Sequence, residues 1–171
     1  MSELKLQGLI NIASSQVGVK EEGGNNKGSQ VVEYQKTTWL KPGPWPWCAA
    51  FICWCISEWL HKDISAADEL GIKDIESWRP KTAGAFDFIN WGKSKGLKVT
   101  DEKELAKAGD LVIFDFSHIG IVEEDQKKGE RTIKCIEGNT NGKGERDSES
   151  GDGVWRKKRA TNLVRAYIRL V

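Results

Sequence analysis

Cysteine and histidine are scarce in this chain of 171 residues, which contains four cysteines and two histidines. Four cysteines are too few for a disulfide scaffold. Cys48, Cys53 and Cys55 are spaced C-x4-C-x-C and Cys135 is distant, so the C-x2-C pair typical of a zinc site is absent. We therefore expect reduced thiols, with Cys53, Cys55 and Cys135 buried in a core.

The chain also lacks a long apolar run. Its start, MSELKLQGLINIASSQ, carries Glu3 and Lys5 and does not resemble a Sec-type signal peptide. No other stretch supplies the roughly 20 apolar residues that a membrane-spanning helix needs. We expect synthesis in a cytoplasm without a membrane span, and a separate route out of the cell if the protein acts on a cell wall.

Neither sign of charge is in excess. The 26 basic and 25 acidic residues give a net charge of +1, so nothing draws the whole chain to nucleic acid or to an anionic membrane. The length fits one compact domain over residues 1–171 with a full core. We expect this domain to act as a monomer.

Two kinds of hydrophobic periodicity divide the chain. Helical spacing of apolar residues marks the N-terminal region, residues 29–40 and the stretch from Cys48 to Trp59, and a further helix is predicted over 82–95. Short segments rich in β-branched residues follow, at 110–116, 118–125, 132–138, 153–158 and 162–171. Helices followed by antiparallel strands predict an α+β fold, with N-terminal helices packed on a C-terminal sheet of about five to six strands.

The stretch GPWPWCAAFICWC places Cys48 between a loop stiffened by Pro44 and Pro46 and an apolar helix. Because proline cannot continue a helix, we expect the helix to begin near Trp47 or Cys48. A thiol there would lie at the positive end of the helix macrodipole, beside unpaired N–H groups that favour a thiolate and could receive the oxygen of a tetrahedral intermediate. The alternative interpretation makes Cys48 simply the first residue of a buried stripe.

A nucleophilic thiol needs a base, and the candidates are His61 and His118. His61 lies 13 residues beyond Cys48 on the same predicted helix, about 20 Å away, and cannot reach it. His118 opens the predicted strand HIGIV. The next strand ends CIEGNTN, where Glu137 and Asn139 would share one face of an extended backbone and could orient the imidazole. A structural histidine, a surface glutamate and a turn asparagine are the alternatives.

Three ordered segments, PWCAAFICW, AGDLVIFDFSHIGIV and IEGNTN, resemble the CHAP amidase and endopeptidase family of bacteriophage and bacterial cell-wall hydrolases. That family shares a papain-like fold with the NlpC/P60 peptidases. EEGGNNKGSQVVEYQ and VWRKKRATNLVRAYIRL extend the resemblance over nearly the whole chain. The resemblance implies that Cys48 is the nucleophile, His118 the base, Glu137 the residue that orients the imidazole, and Asn139 the polar residue beside it.

The implied function is hydrolysis of an amide bond of peptidoglycan without a metal or organic cofactor, as in a phage endolysin. The residues expected to form the substrate cleft are Asn25, Asn26, Tyr34, Trp45 and Trp47. Of these, Trp45 and Trp47 in WPW could form a stacking wall for a sugar or a peptide stem. Other possibilities are a bacterial amidase effector delivered by a secretion system, a non-catalytic wall-binding module of the same fold, and a cytosolic thiol enzyme. The sequence does not indicate whether a holin or an immunity protein acts as a partner.

Two positions depart from the family pattern. Papain-type enzymes place an oxyanion-hole glutamine six residues before the nucleophile, where this chain has Pro42, so a second oxyanion donor must come from another side chain. The loop before Cys48 has no carboxylate, so the calcium loop of some CHAP enzymes is not expected, and the acid-rich segment 145–152 does not follow EF-hand spacing. The charges of RKKR, residues 156–159, alternate between strand faces and are expected to form a solvated surface.

Overall fold

A central helix, shorter helices around it and a six-stranded antiparallel sheet make up the fold. The structure is a computed structural model, and it describes residues 3–142 and 151–171. The helices are α1 (Glu3–Ser15), α2 (Ser29–Gln35), α3 (Cys48–Lys62), α4 (Ile64–Glu69), α5 (Ile75–Trp78) and α6 (Asp87–Ser94). The strands are β1 (Lys98–Thr100), β2 (Leu111–Phe114), β3 (His118–Val122), β4 (Thr132–Thr140), β5 (Gly153–Ala160) and β6 (Val164–Arg169).

The sheet has the strand order β1-β6-β2-β3-β4-β5, and all of its neighbouring strands are antiparallel. The α+β fold with N-terminal helices and a C-terminal antiparallel sheet is therefore confirmed. None of the helices in residues 3–142 and 151–171 combines the length and the apolar character needed to cross a membrane.

Helix α3 lies at the centre of the core because it is apolar on nearly every side, which is typical of a buried helix. It packs against α1 and α2 on one side and against β3 and β4 on the other. Its buried residues are Cys48, Ala49, Ala50, Phe51, Ile52, Cys53, Cys55, Ile56, Trp59 and Leu60. Packing on both sides holds the first turn of α3, and with it Cys48, in a fixed position.

Both faces of the central strands β2, β3 and β4 are largely buried. The face towards α3 contributes Ile113, Ile119, Ile121 and Ile136 to the main core. The alternate residues of the same strands form a second apolar cluster with Tyr167: Val112, Phe114, Val122 and Cys135. This alternation follows from the two-residue period of a strand, and it places Glu137 on the same face of β4 as Cys135.

Some elements differ from the sequence prediction. Helix α6 begins at Asp87 rather than at Thr82, because the Thr82 hydroxyl accepts a hydrogen bond from the N–H of Gly84 at 3.0 Å and donates to Asp87 at 2.8 Å. Such side-chain bonds stabilise a turn in competition with a helix. The short elements α4, α5 and β1 were not predicted, since six, four and three residues carry little periodicity.

Candidate active site

Cys48 is the first residue of α3, and its thiol faces a cleft. Trp47 occupies the N-cap position and makes no capping hydrogen bond with its side chain, so the first N–H groups of the helix have no partner within it. Cys48 is 6% exposed, whereas Cys53, Cys55 and Cys135 are completely buried. All four cysteines are free thiols. Cys48 is thus the thiol that a molecule in the cleft can approach.

The loop before Cys48 is held in place by the buried side chain of Gln35. Its Nε2 donates to the carbonyl oxygens of Gly43 at 2.8 Å and Trp45 at 3.1 Å, and its Oε1 accepts from the N–H of Gly43 at 3.1 Å. Gln35 therefore uses its amide to fix the loop and is not available as an oxyanion donor. This role was not predicted, because Gln35 lies in a helix eight residues before its partner.

His118 begins β3, and its ring is bonded to Glu137 on the neighbouring strand β4. Nε2 of His118 lies 2.7 Å from Oε2 of Glu137, and both side chains are completely buried. Burial alone would lower the pKa of His118, but the Glu137 carboxylate and the Cys48 side chain together raise this pKa to about 9. Burial alone would raise the pKa of Glu137, but His118 and Arg159 lower it to about 2.

The second ring nitrogen of His118, Nδ1, is not used by Glu137. Nδ1 is buried and has no hydrogen-bond partner among the residues of 3–142 and 151–171. Since Nε2 is committed to Glu137, and the Cys48 side chain contributes to the raised pKa of His118, Nδ1 is the nitrogen left for Cys48. An ion pair with a Cys48 thiolate would give this nitrogen a partner.

The turn before His118 aims its ring. Strands β2 and β3 pair Phe114 with His118, and three residues connect them. The last of these, Ser117, has φ 60°, which is the left-handed conformation common in three-residue hairpin loops. The Phe116 ring stacks on the imidazole at 5.6 Å between centroids and 11° between planes. Hairpin geometry and stacking together fix the plane of the imidazole.

Asn139 lies near the thiol but does not bond to the imidazole ring. The ladder between β4 and β5 shifts register between Glu137 and Thr140, and Asn139 has φ 52°, so the extended backbone assumed for the sequence prediction is interrupted. Asn139 is 1% exposed, and its Nδ2 is without a partner in the described part of the chain. It lines the cleft together with Cys48. Of the two polar residues, Glu137 is the one that holds His118.

Two glycines allow the close packing on which this arrangement depends. A Cβ at Gly138 would lie 2.7 Å from Cβ of Phe51 and 2.9 Å from Cζ3 of Trp47. A Cβ at Gly120 would lie 2.8 Å from Cγ of Glu137. Side chains at these positions would separate β4 from the first turn of α3 or displace the carboxylate.

The cleft has a volume of about 410 Å³. Its two walls come from the loop before α3 and from residues 83–85, with the β2–β3 hairpin and β4 at its base. The lining residues are Leu40, Trp45, Pro46, Cys48, Ala83, Gly84, Ala85, Phe116, Ser117 and Asn139. A volume of this size lies within the range typical of ligand-binding sites in proteins.

The residues expected to form the substrate cleft separate into three groups. Trp45 lines the cleft that contains Cys48. Asn26 lies in a different hollow of about 430 Å³, and Asn25 is exposed in a turn. Tyr34 and Trp47 are completely buried and stack on each other at 5.5 Å, so their assignment to the cleft wall was wrong. The Trp47 indole turns inward because its Nε1 donates to Glu21 at 2.8 Å.

Arg159 was expected on a solvated face, and this prediction was wrong for that residue. Arg159 is 1% exposed. Its Nε donates to Oε1 of Glu137 at 2.9 Å, and its Nη2 donates to Oε2 at 2.6 Å. Arg156 and Lys158 on the same strand are exposed, as the alternation of RKKR predicts. Arg159 is buried because it forms an ion pair with the buried carboxylate of Glu137 on the neighbouring strand β4.

Across residues 3–142 and 151–171, no group of three or more His, Cys, Asp or Glu side chains is placed to bind a metal ion. Most of the acid-rich segment 145–152 lies outside the described residues.

A thiol at a helix N-terminus, beside an imidazole that a further polar group orients, is the arrangement by which cysteine hydrolases activate their nucleophile. The CHAP domain family model matches residues 40–139, which is more than half of the chain. The chain therefore belongs to the CHAP domain family, whose members are in general cysteine amidases and endopeptidases of peptidoglycan. The match runs from the loop before Cys48 to Asn139. No curated protein matches the chain.

Proposed function

We propose that this protein is a cysteine hydrolase that cleaves an amide bond of peptidoglycan. The observation that carries the proposal is the position of Cys48, which opens onto the cleft at the start of α3 while the buried His118–Glu137 pair lies beside it. A binding module has no need of a thiol beside a buried ion pair, and burying such a pair costs free energy that only good geometry offsets. Membership of the CHAP domain family supports the same substrate class.

The proposed reaction begins from a Cys48 thiolate and a protonated His118. The thiolate attacks the carbonyl carbon of the amide and forms a C–S bond, and the carbonyl oxygen becomes negative. As the C–N bond breaks, Nδ1 of His118 gives its proton to the departing amine. His118 then takes a proton from water, which attacks the thioester and releases the carboxylic acid product and the thiolate.

The oxyanion needs hydrogen-bond donors, and two are proposed. The backbone N–H of Cys48 is the first, because the N-terminus of α3 leaves its N–H groups without helical partners. Nδ2 of Asn139 is the second, since it is buried, lines the cleft with Cys48 and has no partner within residues 3–142 and 151–171. This assignment takes the place of the glutamine that papain-type enzymes carry where Pro42 stands.

Digestion of purified peptidoglycan tests the reaction directly. The soluble products are separated and their new termini identified by mass spectrometry. Release of a free amino group on L-alanine together with intact muramic acid indicates an amidase, and new termini within the stem or the cross-bridge indicate an endopeptidase. Cys48→Ala is the inactive comparison, and it should still fold because it removes only one buried sulfur atom.

The histidines provide a matched pair of variants for the same assay. His118→Ala should abolish release of fragments. His61→Ala should not affect it, because His61 is exposed near the opposite end of α3. Wild-type protein that binds walls but releases no fragments would favour the non-catalytic wall-binding module instead.

We further propose the biological role of a phage endolysin, which reaches the wall only after release from the cytoplasm in which it is made. Expression in the cytoplasm should then be tolerated. Fusion to an export signal should lyse the same cells, and the fused Cys48→Ala variant should not. Lysis by the unfused protein without any membrane-permeabilising partner would contradict this route.

A further inference from the structure

The carboxylate of Glu137 is held from two sides inside the protein. It accepts two hydrogen bonds from Arg159 at 2.9 and 2.6 Å and one from His118 at 2.7 Å. All three side chains are inaccessible to solvent. Arg159 lies on β5, outside the range 40–139 that the CHAP domain family model matches, so the family match assigns it no role.

The geometry of the Arg159 contact constrains the carboxylate group as a whole. Its guanidinium presents a planar fork, and one nitrogen reaches each oxygen of Glu137. A two-point contact of this kind prevents rotation of the carboxylate about its terminal bond. Since Oε2 also accepts from His118, the contact indirectly fixes the direction of the imidazole.

The charges of the proposed resting state balance only if Arg159 is included. A thiolate on Cys48 and a carboxylate on Glu137 contribute two negative charges, and the imidazolium of His118 contributes one positive charge. Arg159 brings the sum of the four groups to zero. Without it, a buried cluster with an uncompensated negative charge would form, which is costly in a medium of low dielectric constant.

We propose that Arg159 is a positioning residue for the reaction: it clamps Glu137 in the orientation that holds His118, and it supplies the positive charge that lets Cys48 rest as a thiolate. This inference rests on the proposed function for its catalytic consequence. Its effect on the thiol can be measured without any substrate.

Other charged groups near Arg159 do not replace its contribution. On β4, Cys135 is buried and its pKa is raised well above the ordinary value, so it stays a neutral thiol. On β5, Lys157 is partly exposed and donates to the carbonyl oxygen of Asn141 at 2.7 Å. Strand β2 and the hairpin after it present the rings of Phe114 and Phe116, 5.4 and 5.3 Å from the guanidinium carbon.

The test is the pH dependence of alkylation of Cys48 by iodoacetamide, followed by mass mapping in the full chain. In Arg159→Met, the midpoint for appearance of the reactive thiolate should move upward by about one pH unit or more, since loss of a nearby positive charge disfavours every anion around it. Arg156→Met on the same strand is the matched control. It removes an exposed ion pair with Glu123 and should leave the midpoint unchanged.

Arg159→Lys separates charge from geometry. It should keep the alkylation midpoint within a few tenths of a pH unit, because the charge is retained. Its turnover on peptidoglycan should fall by about 10-fold or more, because a single ammonium cannot hold both carboxylate oxygens in the plane. Thermal unfolding of each variant establishes that the measured protein is folded.

An alkylation midpoint in folded Arg159→Met equal to that of the wild type would overturn the inference. If Arg159→Met does not fold, Arg159→Lys is the deciding variant. Turnover on peptidoglycan equal to that of the wild type in Arg159→Lys would also overturn the inference. The inference and the proposed function fail in different ways. Wild-type protein that releases nothing from walls, but shows the expected shift in Arg159→Met, would refute the hydrolase while leaving the charge role of Arg159 intact.

Discussion

Nε2 of His118 and Oε2 of Glu137 lie 2.7 Å apart, and neither side chain is accessible to solvent. The low pKa of Glu137, about 2, makes its carboxylate an acceptor only, so the imidazole donates through Nε2. Nδ1 is thereby reserved for Cys48. In the proposed mechanism the two residues are therefore unequal: His118 exchanges protons with the reacting groups, and Glu137 keeps the ring in register.

This inequality predicts a graded series of activities on peptidoglycan. His118→Ala should cost nearly as much as Cys48→Ala, roughly 10⁴-fold or more in turnover, because the two residues act as a unit. Glu137→Gln keeps a hydrogen-bond acceptor at the same place and should cost less than Glu137→Ala. Turnover numbers for the four variants, measured on one wall preparation, decide the order. Near-normal turnover in His118→Ala would refute the mechanism, since His61 cannot take its place.

The four thiols should differ sharply in reactivity. Burial raises the pKa of Cys53 to about 12 and holds those of Cys55 and Cys135 well above the ordinary value, whereas Cys48 opens onto the cleft. Iodoacetamide at neutral pH should therefore label Cys48 first, with the other three lagging by about 100-fold or more in rate. Peptide mapping at short reaction times measures the order, and earlier labelling of any buried cysteine would point to a different nucleophile.

The sequence was sufficient to predict the fold class and the start of α3. The apolar stripe from Cys48 to Trp59 and the β-branched segments depend on local periodicity, which a single sequence displays directly. The order of the segments also suggested that Cys48, His118 and Glu137 would lie close together. In the structure His118 bonds to Glu137, and the Cys48 side chain contributes to the raised pKa of His118.

Long-range contacts explain what could not be predicted. Alternation along RKKR shows that Arg159 and Lys157 share a face, but β5 is an edge strand, and only the position of Glu137 on β4 determines that Arg159 is buried. Trp47 turns inward because Glu21, far away in the sequence, accepts its indole N–H. The left-handed backbone of Asn139 arises from a register shift that no local pattern signals.

Gly138 should be intolerant of any side chain. A Cβ there would contact the Cβ of Phe51 at 2.7 Å, and neither the helix nor the strand can move aside easily in a close-packed core. Gly138→Ala should lower turnover by about 10-fold or more and destabilise the protein by about 1–3 kcal/mol. Gly129→Ala is the control: it strains a turn with φ 90° but meets no atom within 4 Å, so it should affect stability alone. Wild-type turnover in Gly138→Ala would show that the strand and the helix can separate without consequence.

The His118–Glu137 pair should make stability depend on pH in a defined direction. The pKa of His118 is about 9 in the folded protein against an ordinary value of 6.5, so its contribution is complete below pH 6.5 and is lost as the pH rises towards 9. The pKa of Glu137 is about 2 against 4.5, so its contribution is complete above pH 4.5 and is lost towards pH 2. The pair therefore stabilises the fold most between about pH 4.5 and pH 6.5.

Urea unfolding at pH 6 and pH 9 measures the alkaline side of this dependence. The free energy of unfolding of the wild type should fall between the two pH values. His118→Gln carries no titrating ring and should show a smaller fall. Equal falls in the two proteins would mean that His118 does not titrate as part of the buried pair.

Asn139 should act on the oxyanion and not on the thiol. Asn139→Asp preserves shape and tolerates the left-handed backbone, which asparagine and aspartate adopt more readily than most residues, but it replaces the N–H donor by a negative charge. Turnover should fall by about 10²-fold or more, which is the cost typical of losing one oxyanion donor.

Asn139→Gly removes the side chain without backbone strain and should show a similar loss. The rate of iodoacetamide labelling of Cys48 in Asn139→Gly should match the wild type, because the Cys48–His118 pair is untouched. If Asn139→Gly instead slows labelling as much as it slows turnover, Asn139 supports the His118 ring, and the second oxyanion donor is another group.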